Sequence, residues 1–223
     1  MGSRRFRGAR VSLAAVLLLC LTLSAAGCST TVVVAVPPRA DLGAYPRVGV
    51  VRFDTAGAAA SEDEVTQRFL ANIQAAQPGV RLLELGPEGE VLRAVGCPAL
   101  DFEAIRAIGK HFGVDAVLTG RLEVSPAKPN FSVRPDLTAL RAGVTMNGSL
   151  QAKLREAAGG ATVWTNGAHG TWSLASVGLD AQGALTHGGL ADGDRKREEM
   201  LEDLVRVATH DFRPTYERHK VAN

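Results

Sequence analysis

The sequence predicts an α/β (α+β) fold: one small domain whose mixed four- to five-stranded sheet carries a long antiparallel hairpin and is packed by helices. Three observations predict it. Strand-like and helix-like segments follow one another as β-α-β-α-α-β-β-β-α. Segment 144–155 alternates without a break: Val144, Met146, Gly148, Leu150, Ala152 and Leu154 fall on one face, and Thr145, Asn147, Ser149, Gln151, Lys153 and Arg155 on the other. Such alternation means one packed and one wet face. After a turn at 156–161 with Gly159-Gly160, segment 162–174 returns as the partner, with Trp164 and Trp172 on the same face.

The elements follow in chain order. Segment 29–46 reads as a linker stiffened by Pro37-Pro38, with a short edge strand over 32–36; its 18 residues reach roughly 60 Å at most. Segment 48–53 is a buried strand, nearly continuous in apolar and β-branched residues. Ser61 and Glu64 have capping-box spacing, and the acids at 62–64 suit a helix N-terminus. Val65, Phe69, Ile73 and Ala76 then form one stripe, stopped by Pro78-Gly79. Segment 80–85 is a strand and 87–95 a short helix. Asp101 opens a further helix with Phe102, Ile105, Ile108 and Phe112 on one face, ended by Gly113. Segment 114–124 is a strand in which Leu118, Gly120, Leu122 and Val124 alternate with polar residues, Gly120 admitting a close neighbour. The proline-bearing segment 125–136 reads as a connection, and glycine-rich 176–193 as a long mobile loop. A last helix starts near Asp192 or Asp194 and buries Leu201, Leu204, Val205, Ala208 and Phe212. A polar tail covers 214–223.

The chain opens with Arg4, Arg5, Arg7 and Arg10, an apolar run over 11–23, the small residues 24–27, and Cys28. This is the layout of a secretory signal peptide. The apolar run is shorter than the roughly 20 residues that span a bilayer comfortably. A cysteine directly after the small residues resembles the bacterial lipobox, with Ala25 where leucine is usual. The resemblance implies removal of 1–27 and lipidation of Cys28 with palmitate-type acyl chains. Ser29 in the next position implies sorting to the outer membrane, facing the periplasm. The expected organisation is 1–27 signal peptide, 28–46 lipidated tether, 47–213 folded domain and 214–223 tail. Of 25 basic residues the signal removes four, leaving 21 against 23 acids, so the basic balance belongs to the signal. No basic stripe remains for nucleic acid. Cys20 leaves with the signal and Cys28 carries lipid, so Cys97 is the single remaining thiol. It reads as a small packed residue beside Pro98 or as a partner in a mixed disulfide.

Three stretches carry a wider resemblance. Segment 48–53 (VGVVRF) is similar to a first strand ending in phenylalanine. Segment 105–120 (IRAIGKHFGVDAVLTG) is similar to a helix-strand unit, and 150–164 (LQAKLREAAGGATVW) to a hairpin with an exposed-edge tryptophan. In this order they resemble the periplasmic domain shared by the curli-secretion lipoprotein CsgG, the penicillin-binding-protein activator LpoB and the amino-terminal domain of TolB. The resemblance covers about 46–212. It implies a non-catalytic lipoprotein that docks envelope proteins, with homo-oligomers open to it. Curli-type pores need membrane hairpins with strands of about 9–11 residues. Segments 125–136 and 156–161 read as too short for these, and 176–193 as lacking apolar alternation.

Candidate chemistry is sparse. Ser125 and Lys128 have S-x-x-K spacing, but Pro126 and Pro129 break the helix that motif needs, and no S-D-N or K-T-G accompanies it. His187-Gly188-Gly189 lacks a G-x-S-x-G partner. His111, His169, His210 and His219 have no paired metal-ligand spacing. Glu198, Glu199, Glu202 and Asp203 read as the wet face of the last helix. The expectation is a docking or scaffold module without cofactor, metal or catalytic residue. A ring-forming or secretion-related structural subunit and an envelope hydrolase are the alternatives.

Overall fold

The computed structural model describes residues 30–57, 60–133, 140–179, 185–190 and 193–221. The expected signal peptide and Cys28 lie outside them. Residues 37–214 form one compact unit, and 30–36 with 215–221 belong to another. The larger unit has the expected α+β fold. Its strands are β2 (Val48–Val51), β3 (Asp54–Ala56), β4 (Leu82–Gly86), β5 (Ala116–Val124), β6 (Lys128–Val133), β7 (Leu140–Glu156), β8 (Thr162–Leu179) and β9 (Leu185–Leu190). Its helices are α1 (Glu62–Ala76), α2 (Glu88–Val95), α3 (Phe102–Phe112) and α4 (Gly193–Ala208). The sheet order is β4-β2-β5-β7-β8-β9, with β3 beside β5 and β6 beside β7. The pairs β2–β4, β2–β5 and β3–β5 are parallel and the rest antiparallel. The sheet is thus mixed and has eight described strands, the additions being β3, β6 and β9.

Both faces of β2 are buried because helices lie on both sides. On one, Val48, Val50, Leu118 and Leu150 meet Phe69 and Ile73 of α1 and Leu201, Leu204 and Val205 of α4. On the other, Val51 and Val117 meet Val91 of α2 and Ile105 and Ile108 of α3. The Ser61 hydroxyl caps α1 by accepting from the Glu64 N–H (3.1 Å), and Asp101 caps α3 by accepting from the Ala104 N–H (2.9 Å). Gly113 closes α3 in the left-handed region, φ 66°. Gly120 faces the Phe53 ring so closely that a β-carbon there would overlap it. Trp164 packs against Phe212 with centroids 4.6 Å apart and the rings tilted by 54°, and it donates its indole N–H to Asp211 (3.2 Å).

Several expectations need correction. Phe102 stands outside the buried stripe of α3 and is 58% exposed, whereas Ile105 and Ile108 are buried. As the first residue of α3 it has no preceding turn to hold it against the sheet. Residues 40–46 belong to the body rather than a free tether: Ala40 and Leu42 are buried in the core. Gln77 holds them there, accepting from the Leu42 N–H (2.8 Å) and donating to the Ala40 and Phe212 carbonyls (2.6 and 3.0 Å). The connection 125–136 contains β6, and the loop 176–193 contains the end of β8 and all of β9.

The smaller unit is a two-stranded antiparallel ribbon. β1 (Thr30–Val36) pairs residue for residue with β10 (Thr215–Val221), from Thr30 opposite Val221 to Val36 opposite Thr215. The short strand expected over 32–36 is therefore longer, and its partner comes from the polar tail.

Candidate interaction surface

Chain length creates the surface. β7 and β8 have 17 and 18 residues, far more than the nine of β5. β5 pairs with β7 only from Ala116–Glu156 to Val124–Gly148. Beyond that point the chain steps aside through Ser125 and resumes as β6, which pairs with β7 from Lys128–Thr145 to Val133–Leu140. On the opposite side β9 covers the same end of β8, from Ala175–Leu190 to Leu179–Leu185. The two segments singled out as irregular are thus the two edge strands, β6 and β9, of one antiparallel extension.

The register sorts the residues of this extension into rows. Val133, Leu140, Leu179 and Leu185 occupy one row; Ser132, Arg141, Gly178 and Thr186 the next; Phe131, Ala142, Val177 and His187 the third. Asn130, Gly143 and Ser176 follow, and then Pro129, Val144, Ala175 and Leu190. By residue type, largely apolar rows alternate with polar ones. The sequence hides it because each strand contributes only a few residues and glycines interrupt them. Segments 125–136 and 176–193 thus each furnish a paired strand of six residues, β6 and β9, shorter than the about 9–11 residues that a membrane hairpin strand needs. Pro129 has no N–H to offer, which suits an edge position.

At the step between β5 and β6 a cleft of about 940 Å³ opens, lined among others by Gly57, Ser125, Asn147, His169, Thr171 and Arg197. Its polar groups engage one another. The Ser125 N–H donates to the Asn147 carbonyl (2.8 Å). The Asn147 N–H donates to the Ser125 hydroxyl (3.0 Å), and the Thr171 hydroxyl to the Asn147 side-chain carbonyl (2.7 Å). Lys128 is exposed, opposite Thr145 in β6. The S-x-x-K spacing therefore runs across the step from β5 to β6 and lies on no helix, with Ser125 in the step and Lys128 at the start of β6. His169 is exposed and opposite Ser149. His187 lies in β9 rather than in a loop. Among the described residues no group of three or more His, Cys, Asp or Glu could hold a metal ion. Cys97 is half-buried, its Sγ 3.8 Å from the Val95 carbonyl.

Asp194, Glu198, Glu199 and Asp203 of α4 are engaged in surface ion pairs. Arg68 of α1 bonds both Glu64 and Glu198 at 3.1 Å. Burial opposes the charge on Arg68, but its bonds to Glu198 and Glu64 outweigh this and raise its pKa. Asp203 pairs with Arg206 at 2.7 Å. No helix among the described residues is long and apolar enough to cross a membrane.

No protein-family model and no curated protein matches the chain. Solved structures do. The protein CT253 from Chlamydia trachomatis is 10% identical, with TM-score 0.40, over 74% of this chain and 96% of that one. The PelC dodecamer from Paraburkholderia phytofirmans is 14% identical, with TM-score 0.37, over 82% of this chain and 98% of that one. The LpoB C-terminal domain from Salmonella enterica is 16% identical, with TM-score 0.35, over 69% of this chain and 93% of that one. With TM-scores this low, none of the three carries a functional assignment.

Proposed function

We propose that this chain is a non-catalytic bacterial outer-membrane lipoprotein, lipidated at Cys28, whose α+β body docks envelope proteins at the periplasmic face. The observation that carries the docking reading is the antiparallel extension with its two edge strands, β6 and β9. An edge strand presents unpaired N–H and C=O groups to which another chain can add. Anchoring by acyl chains raises the local concentration of a partner in the same membrane, so a modest interface suffices. The hydrolase alternative finds little support: the Ser125 hydroxyl is held by the Asn147 N–H and Lys128 faces solvent.

Photo-crosslinking residues placed at Asn130 in β6, at Thr186 in β9, and at exposed Lys110 in α3 as control test the reading in cells. A discrete adduct from either edge strand and none from Lys110 is the expected result. Equal adducts from all three positions, or none from the edges, contradict it.

A second reading is favoured by the alternating rows: a ring-forming or secretion-related subunit that closes this extension against copies of itself. Sheets of this kind remove their edges by joining them. Light scattering in detergent separates the readings, a monodisperse monomer supporting docking and a closed multimer supporting the ring.

A further inference from the structure

We infer that the β1–β10 ribbon is a membrane-surface element, and that its face bearing Tyr216, Arg218 and Lys220 lies on an anionic phospholipid bilayer. The inference rests on the reading of Cys28 as the lipidated residue. β1 begins at Thr30, two residues beyond Cys28. Two residues reach about 7 Å at most, so a ribbon starting there cannot stand clear of a bilayer that holds the acyl chains.

The register gives the ribbon two different faces, because directly opposed residues of antiparallel strands project to the same side. Thr31, Val33 and Ala35 are opposed by Lys220, Arg218 and Tyr216. Val32 and Val34 are opposed by His219 and Glu217 on the other side. His219 Nε2 lies 3.2 Å from Glu217 Oε2, so the acid of β10 is engaged on the face away from both cations. The cationic face also exposes Val33 (57%) and Tyr216 (69%). Tyrosine belongs at the headgroup level, and long basic side chains keep their charges among headgroups while their stems lie on apolar surface. A two-stranded ribbon is marginal in water on its own, so a surface that accepts these side chains also holds the pairing.

The test uses the chain from residue 28 onward with Cys28→Ser, which carries no acyl group. It is sedimented with phosphatidylcholine vesicles, with and without phosphatidylglycerol. Binding to the anionic vesicles is expected, falling as salt rises. R218Q/K220Q lowers that binding about 25-fold, from roughly fivefold per basic residue at an anionic surface. R106Q/K110Q removes the same charge from exposed positions of α3 and lowers it less than about twofold. Equal losses in the two variants, equal binding to both vesicle types, or no binding at all overturns the inference. A dimer formed without vesicles and abolished by V33D also overturns it, assigning the face to a second copy. Palmitate labelling of Cys28 in cells is read separately; its failure removes the anchor, whereas failure of vesicle binding removes only the ribbon's role.

Discussion

Gly120 and Thr66 show what single residues contribute and how differently they announce themselves. Gly120 falls on the packed face of an alternating strand, so its need for a close neighbour follows from the pattern, and Phe53 is that neighbour. Gly120→Ala is expected to lower the unfolding free energy by about 1–3 kcal/mol in urea titration, because the Phe53 ring must shift within a full core. Thr66 is invisible in the sequence. Its buried hydroxyl donates to the Glu62 carbonyl (2.6 Å) and accepts from the Phe53 N–H (3.0 Å) where β2 gives way to the chain leading to β3. No local pattern connects residues 53 and 66; folding brings them together. Thr66→Val leaves the Phe53 N–H without its acceptor and should cost about 1–3 kcal/mol by the same measurement. Gln77 was hidden for the same reason: its three bonds reach residues from two distant parts of the chain.

At the scale of elements, legibility follows the number of periods a segment offers. The helices α1, α3 and α4, with buried stripes several turns long, were readable, as was the half of the β7–β8 hairpin that packs on α4. Leu204 of α4 lies over Gly148 of β7, and Leu204→Ala should cost about 2–5 kcal/mol through the cavity it leaves. β6, β9 and β10 were not readable as strands. Pro129 and the pair Gly188-Gly189 carry the composition of loops, and the ladder beside them, rather than intrinsic preference, makes them strands. β10 is a run of mostly polar and charged residues without apolar alternation, so only its register with β1 identifies it. That register is testable in a Cys97→Ser background. Cysteines at Val34 and Glu217, which are opposed, should form a disulfide on mild oxidation, and cysteines at Val34 and Arg218 should not.

For the whole molecule, the body and its anchor are separate inferences that meet in one function. The α+β body was legible because its order of elements and its alternating hairpin are properties of long segments. The candidate interaction surface was not, because its rows exist only once the four consecutive strands β6 to β9 are in register, and β6 and β9 are too short and too rich in proline and glycine to be read as strands alone. In the proposed function the two sides of that extension offer the contact, and acylation of Cys28 would keep it at the membrane. The anchor comes first, since a body without it has no reason to meet its partners in the plane of the membrane. The most direct measurement is metabolic labelling of the full chain with palmitate, in parent and Cys28→Ser forms. The account predicts label on the parent protein and none on the serine variant; an unlabelled parent, or equal label on both, would contradict it.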